Sequence, residues 1–483
     1  MASSAGTILI WLVYVGVFIF LARKGRGHDA ALSGRVGFSI QALAYVATYI
    51  SAVALVGFGG LAHAYGMQML LVAAGNVWLG TWVVYRFLAW PTRVWQQHLG
   101  VRSPATLIGT GHHSPMLARM LALLFALFLS VYASAVIKGA GLLLAEILPF
   151  QLWLIIWGLA IVVGICVCIG GLRGVLYTEA MQGIIMLIGI VMIVSAVLVK
   201  TGGPMQGLAD LALLAPTPQA NNGFLSLSSG GAGLFILSLV FVTSVAVWAQ
   251  PQMMQRHFAL GSRAQAARVA PLAMLILTVL VGGTYFVAAL SRLILPEVPN
   301  PDAVMPMLVR HILPTAGLHL FVLAIVSASL STATALFHIA SLAIAEDVPA
   351  RKSSPRTWRL GVALCVIISA SCAQVEGSLI AMLCTTSWSV VGSAVLVPYL
   401  ALVLFGKRHA LAAWGSSLGG LGSCLFWYLC VYTPTAAISP FATLMSPSWG
   451  LIPPFFIGMI FAIVGWGAGI AAGIIQMQRQ VAE

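Results

Sequence analysis

The residues best suited to chemistry are hydroxyls on an apolar segment, 321–347, that is long enough to cross a bilayer. Ala328, Ser331 and Thr332 stand at i, i+3 and i+4, so on a helix they share one face. Buried oxygens cost free energy unless a polar group or an ion meets them, and a desolvated sodium ion would meet them well. The alternative is that these hydroxyls bond to their own helix or hold helices together. The segment carries Ser327, Ser329, Ser331, Thr332 and Thr334.

The composition predicts the environment of this segment. Hydrophobic residues make up 61% of the 483 residues and charged residues 7%, far below the roughly 25% of a soluble domain. Apolar segments of spanning length recur along the chain, which predicts an all-α polytopic membrane protein in contact with the lipid bilayer. We place thirteen spans at 6–22, 38–58, 67–90, 116–145, 151–169, 177–199, 232–250, 267–291, 317–345, 358–373, 378–405, 409–432 and 448–476.

The distribution of basic residues predicts the orientation. The net charge is +13, yet all 23 basic residues except Lys138, Lys200, Arg292 and Arg310 lie on one side of the thirteen spans, in loops, near span ends or at a terminus. Basic loops stay in the cytoplasm, so we expect an external N-terminus and a cytoplasmic C-terminus in a plasma (inner) membrane. Because membrane topology accounts for the position of these basic residues, the positive net charge does not indicate a nucleic acid partner.

Two spans are interrupted at mid-membrane. The second has hydroxyls and glycines around 49–60, and the seventh has Thr243 and Ser244 followed by Pro251. A broken helix releases carbonyls, which is tolerated where they line a cavity or meet an ion. The breaks are five spans apart, so spans 2–6 and 7–11 form two halves of opposite orientation, as in inverted-repeat transporters. The predicted regions are a first helix and basic loop (1–37), a first repeat (38–200), an external loop (201–231), a second repeat (232–405) and two final helices (406–483).

Four segments resemble the sodium:solute symporter family in sequence, order and separation. They are ATYISAVALVGFGGLAHAYG from Ala47, GGLRGVLYTEAMQGIIMLIG from Gly170, WAQPQMMQRHFA from Trp248 and SASLSTATAL from Ser327. The first two look closest to the sodium/pantothenate symporters. The resemblance implies a leucine-transporter-type five-plus-five inverted repeat with one extra helix before it and two after, which agrees with thirteen spans.

The resemblance also implies ion sites. It implies a sodium site made of the backbone oxygens of Ala47, Ile50 and Ala328 and the hydroxyls of Ser331 and Thr332. Some members have a further sodium site, which would here involve Glu179 and Thr334. Glu179 replaces an aspartate of those members, so it could instead pair with Arg173 or another inner basic residue, or handle a proton.

The substrate pocket implied by the family lies beside the broken helices. Asn76 is an amide within an apolar span and is expected to face the helix bundle, whereas Tyr49 could also be a purely structural hydroxyl. Lys138, within the fourth span, could pair with a substrate carboxylate, or snorkel to an interface, or bind backbone carbonyls. The candidates are Tyr49, Ser51, Ala54, Ala73, Asn76, Lys138, Thr243 and Val247.

These observations predict a sodium-coupled symporter that imports a small monocarboxylate or zwitterion similar to pantothenate. An enzyme would need acid, base or metal ligands clustered at one depth, and the sequence shows no such cluster, so we expect no enzymatic activity. We expect sodium to be the coupling ion and no obligate protein partner. A transporter-fold receptor and a proton-coupled symporter are the alternatives.

Overall fold

A computed structural model describes residues 4–24, 36–145, 147–228, 230–298, 300–375, 380–432 and 452–482. These residues form helices and their connections, and β-pairing among them is limited to one isolated bridge between Thr217 and Ala220. The α-helices are α1 (Ser4–Lys24), α2 (Phe38–Tyr49), α3 (Phe58–Tyr65), α4 (Leu70–Val77), α5 (Ala89–Leu99), α6 (Pro104–Gly111), α7 (Pro115–Ala145), α8 (Leu152–Lys200), α9 (Pro204–Ala212), α10 (Gly230–Ser244), α11 (Pro251–Phe258), α12 (Arg263–Leu277), α13 (Gly283–Leu290), α14 (Val304–Ile312), α15 (Thr315–Leu342), α16 (Pro355–Ala373), α17 (Ile380–Phe405), α18 (Ala410–Cys430) and α19 (Pro454–Ala482).

The helices coincide with the predicted spans. By length and composition, ten helical segments of the described chain could cross a membrane. The other three predicted spans fall on α1, on α2 and on α18. The prediction of an all-helical polytopic membrane protein is therefore confirmed. The predicted external loop, 201–231, additionally contains the short helix α9.

Two predicted spans lie within the single long helix α8. At 1.5 Å per residue its 49 residues would measure about 73 Å if straight, whereas the hydrocarbon core of a bilayer is about 30 Å thick. It contains two apolar crossings, Leu152–Gly170 and Leu172–Lys200. The helix thus continues across 170–176, where the sequence predicts a loop between two spans.

The two interrupted spans break where predicted. Helix α2 ends at Tyr49, and Ile50 is extended, with φ −98° and ψ 124°. The hydroxyl of Ser51 then accepts a hydrogen bond from the N–H of Val53 at 3.2 Å, so it caps the turn that follows. In the second repeat Gln250 is extended, with φ −72° and ψ 124°. Gln250 precedes a proline, which disfavours a helical conformation there.

Helix α15 lies at the centre of the bundle. Every residue from Phe321 to Leu342 except Leu323 is buried. It packs against α7 and α8, while α2 contacts it at the break. By contrast, only 22% of the apolar window of α19 is buried, as expected for a helix that faces lipid. The hydroxyls of α15 therefore face protein rather than lipid.

Close packing of α3 generates a first prediction. A Cβ atom at Gly60 would overlap the carbonyl oxygen of Pro301, which is backbone and cannot swing away. We expect Gly60→Ala to lower the thermal stability of the purified protein, because overpacking costs about 1–3 kcal/mol in a close-packed interior. The matched control is Gly158→Ala on α8, where a Cβ meets nothing within 4 Å. Equal melting temperatures for the two variants would contradict the tight contact.

Candidate functional site

Five oxygen atoms from the first helix break and α15 converge at one buried point. The Ser331 hydroxyl is 2.7 Å from the carbonyl oxygen of Ala47 and 2.8 Å from that of Ala328. The Thr332 hydroxyl is 3.4 Å from the carbonyl oxygens of Ala47 and Ile50 and 3.2 Å from that of Ala328. Both side chains are fully buried. These are the five residues that the family resemblance implies for sodium, and the Thr48 carbonyl lies beside them, 3.3 Å from the Thr332 hydroxyl.

The backbone conformation explains why carbonyls are available there. The last carbonyls of a helix have no partner within the helix, and they carry the negative end of its dipole. Helix α2 ends at Tyr49 in the protein interior, so the carbonyls of Ala47 and Thr48 point to α15 instead of to a further turn. The site is thus formed by neutral dipoles, which can replace the water around a monovalent cation.

The remaining hydroxyls of α15 behave differently. Ser329 donates to the carbonyl of Ile325 at 3.0 Å, and Thr334 donates to the carbonyl of Leu330, both within the helix. Ser327 bonds to the hydroxyl of Tyr14 at 3.0 Å and so joins α15 to α1. The alternative interpretation of the hydroxyls therefore applies to these three residues. Ser331 and Thr332 also reach the broken helix.

Glu179 lies beside the same break but is bonded to an arginine. Its Oε1 atom is 2.5 Å from a guanidinium nitrogen of Arg256, and both side chains are buried. The Nε atom of Arg256 donates to the Thr48 hydroxyl at 3.1 Å. Arg173 instead contacts Tyr177. The structure thus brings Glu179 together with Arg256 and Thr48, whereas the hydroxyl of Thr334 bonds within its own helix.

A second polar cluster contains three of the predicted substrate residues. The side-chain oxygen of Asn76 lies 2.7 Å from the Thr243 hydroxyl, 3.1 Å from the Ser244 hydroxyl and 3.3 Å from the Tyr49 hydroxyl. Tyr49 also donates to the carbonyl of Thr243 at 2.7 Å. The cluster joins both broken spans to α4, which carries Asn76. The small side chains of Ala54 and Ala73 are also buried on these elements.

Lys138 makes its contacts in another place. Its ammonium group donates to the carbonyl of Val375 at 2.9 Å, which agrees with the alternative that it binds a backbone carbonyl. Nearby, Asp302 accepts a hydrogen bond from the N–H of Ile380 at 3.1 Å. Burial raises the pKa of the Asp302 carboxyl, while this N–H and the positive charge of Lys138 oppose the rise.

An open cavity of about 570 Å³ lies between α3, α10, α17 and α18. Tyr65, Phe235 and Tyr428 supply aromatic lining, and Val242 lies in its wall next to Thr243. Ser389, which also lines it, accepts a hydrogen bond from Tyr428 at 3.2 Å. Mostly apolar walls with a few polar groups are typical of small-molecule sites.

Sequence reasoning left three residues out of the site. Ser244 completes the contacts of Asn76, and its position beside Thr243 in the same apolar span could have identified it from the sequence. Arg256 and Thr48 lie within quoted family segments, but the spacing of the sequence did not indicate that they meet Glu179. The described residues contain no group of three or more His, Cys, Asp or Glu that could hold a metal ion.

Two relatives align with most of the chain. It is 24% identical over 440 residues to the sodium/pantothenate symporter of Escherichia coli strain K12, which covers 87% of this chain and 85% of that protein. It is 23% identical over 475 residues to a high-affinity proline transporter of Bacillus subtilis strain 168, with 93% and 96% covered.

The fold has a solved counterpart. The substrate-bound, outward-open structure of a Na⁺-coupled sialic acid symporter matches with a TM-score of 0.76 at 16% identity, covering 96% of this chain and 98% of that one. The prediction of a leucine-transporter-type fold is confirmed by this match. The model of the sodium:solute symporter family matches residues 32–420. The chain therefore belongs to the sodium:solute symporter family.

Proposed function

We propose that the protein imports a small organic solute together with sodium by alternating access. The observation that supports this proposal most directly is the convergence of the Ser331 and Thr332 hydroxyls on the carbonyls of the first helix break. Membership of the family supports sodium-coupled solute import in general. The residues of the ion site and the class of solute are the specific parts of the proposal.

The chemistry of the five oxygens favours a monovalent cation such as sodium over a divalent cation or a proton. All are neutral carbonyl or hydroxyl oxygens, and none is a carboxylate. Calcium and magnesium prefer sites with carboxylates, whereas uncharged oxygens suit a monovalent cation. A proton would need a titratable group, and neither a hydroxyl nor a backbone carbonyl supplies one near neutral pH. With sodium bound, the two hydroxyls would turn their lone pairs toward the ion.

Tyr49 supplies a direct route for coupling. It stands between Ala47 and Ile50, whose carbonyls belong to the ion site, while its hydroxyl belongs to the cluster around Asn76. An ion that fixes the backbone at 47–50 also fixes the direction of the Tyr49 side chain. If sodium raises the affinity for solute in this way, solute must raise the affinity for sodium by the same factor.

The proposed solute is a small organic monoanion or zwitterion, similar to pantothenate in size. The Asn76 cluster offers a few hydroxyl and amide groups, and the buried Ala54 and Ala73 lie on the same elements, so it suits a small acid better than a polyol. Two named relatives, a pantothenate symporter and a proline transporter, fit this class. Sodium entry would offset the membrane potential, which opposes an anion by about 2.3 kcal/mol per 100 mV.

Two of the predicted roles require hydrogen bonds seen in the structure to break. A second ion at Glu179 and Thr334 would compete with the Arg256 guanidinium for the same carboxylate. We infer that Glu179 chiefly neutralises Arg256 next to the break. Likewise, Lys138 would have to leave the Val375 carbonyl before it could bind a substrate carboxylate. Ser51 could serve the solute only in addition to capping Val53.

The ion site is tested by removing its hydroxyls. We expect Ser331→Ala and Thr332→Val each to raise the sodium concentration for half-maximal uptake about tenfold, since losing one ligand worth about 1.4 kcal/mol has that effect. Ser329→Ala is the matched control, because that buried hydroxyl bonds only within α15 in the described contacts. Uptake is measured in proteoliposomes at varied sodium. Unchanged sodium dependence in both site variants would refute the site.

The solute class is tested by ligand screening followed by transport. The native state is stabilised by a ligand that binds it, so in sodium we expect small monocarboxylates or zwitterions to raise the melting temperature and sugars not to do so. The active compounds are then tested for sodium-driven uptake into proteoliposomes. Sugar uptake without carboxylate uptake would refute the proposed class. Binding without sodium-stimulated uptake would favour the receptor alternative.

The ion pair is tested by a double-mutant cycle. We expect Glu179→Gln and Arg256→Gln each to lower thermal stability strongly, because removing one partner of a buried pair leaves an uncompensated charge worth about 3–5 kcal/mol. The double variant should be more stable than either single variant. If instead Glu179→Gln stabilises the protein and Arg256→Gln is neutral, the carboxylate does not serve to neutralise Arg256.

A further inference from the structure

A groove outside the transport path combines two arginines, two tryptophans and an apolar floor. It has a volume of about 590 Å³ and lies between the segment Trp78–Leu88 and helix α12. Arg86 and Arg263 line it, as do Trp82 and Trp90. Neither the ion site nor the cluster around Asn76 shares a lining residue with it. The proposed function therefore leaves the groove unexplained.

The sequence explains why this region is hollow. Helix α12 presents Ala266, Ala267 and Ala270 to the groove, and these small side chains leave space opposite the tryptophans. Pro271 follows them inside the helix and lines the groove as well. On the other wall, Trp78–Leu88 is wound as a wider π-helix, a form that is rare and often found at functional sites.

The charge of the groove is positive and uncompensated. Both arginines are exposed, and no acidic residue is among the described residues that line the groove. The Arg86 guanidinium lies 5.2 Å from the centre of the Phe87 ring. An anion with bidentate oxygens, such as a phosphate, is the natural partner of arginine.

The apolar part of the groove indicates what must be attached to that phosphate. Trp82 is 41% exposed, and Met274 extends the apolar floor along α12. Tryptophan and arginine side by side are typical of the membrane–water interface, where the ring sits at headgroup level. Basic pockets between spanning helices bind lipid headgroups in this way. A soluble phosphate compound would leave the alanine and methionine surface in contact with water.

We propose that this groove binds one anionic phospholipid, with its phosphate between Arg86 and Arg263 and an acyl chain along the alanines of α12. The site is independent of the proposed solute and of sodium, so it can be tested without knowing either. The side of the membrane to which the groove belongs is the one that carries most of the basic loops. Lipids in that leaflet would reach it laterally.

The test measures lipid affinity of the full-length protein in detergent. Phosphatidylglycerol and phosphatidylcholine are titrated separately, and bound lipid is counted by native mass spectrometry. We expect wild-type protein to bind one phosphatidylglycerol with clear preference. The variant R86A/R263A should bind it about 30-fold more weakly, which corresponds to about 1 kcal/mol for each lost arginine. The matched control R268A/R356A removes two exposed arginines outside the groove and should stay near wild type.

Three results would overturn the proposal. The first is equal phosphatidylglycerol affinity in the groove and control variants, and the second is equal affinity of wild type for the two lipids. The third is affinity of wild type for inorganic phosphate as high as that for phosphatidylglycerol. If R86A/R263A does not fold, brominated phosphatidylglycerol is added to wild type and to the variant W82F/W90F. We expect quenching of tryptophan fluorescence to fall in that variant, and unchanged quenching would also refute the site.

Discussion

The rest of the structure depends on the cost of an unpaired backbone carbonyl inside a membrane. Hydrocarbon offers no water, so each orphan carbonyl costs several kcal/mol unless protein or an ion meets it. Helix α2 nevertheless ends at Tyr49 in the interior of the bundle, because Ile50 is extended. The hydroxyls of Ser331 and Thr332 meet the released carbonyls. This requirement explains why α15 is buried on all sides along the region that carries them.

Features governed by local pattern could be predicted from the sequence. The lengths of apolar segments located the spans, because a bilayer sets the length of a helix directly. The i, i+3, i+4 spacing of Ala328, Ser331 and Thr332 located their shared face, because helix geometry is fixed. The break at Ile50 was indicated by hydroxyls and glycines in an otherwise apolar span, supported by the family resemblance.

Features that depend on tertiary packing could not be predicted from the sequence in this way. Arg256 and Glu179 are distant in sequence, and several inner basic residues could have been the partner of the carboxylate. Helix α8 remains helical across 170–176 although the apolar pattern placed two separate spans on either side of it. The family resemblance made Asn76 a candidate, and an amide in an apolar span was expected to face the bundle, but neither showed that Ser244 would be one of its partners.

The Tyr49 hydroxyl has more acceptors within reach than it has protons to donate. It has a single proton but two acceptors within reach, the Thr243 carbonyl at 2.7 Å and the Asn76 side-chain oxygen at 3.3 Å. It can therefore satisfy only one of them at a time. A guest molecule that donates to the Thr243 carbonyl would leave the phenol to donate to Asn76, whose oxygen also accepts from the Thr243 and Ser244 hydroxyls. Because the phenol has a second acceptor within reach, this contact between the two broken spans can be rearranged without leaving the phenol unpaired.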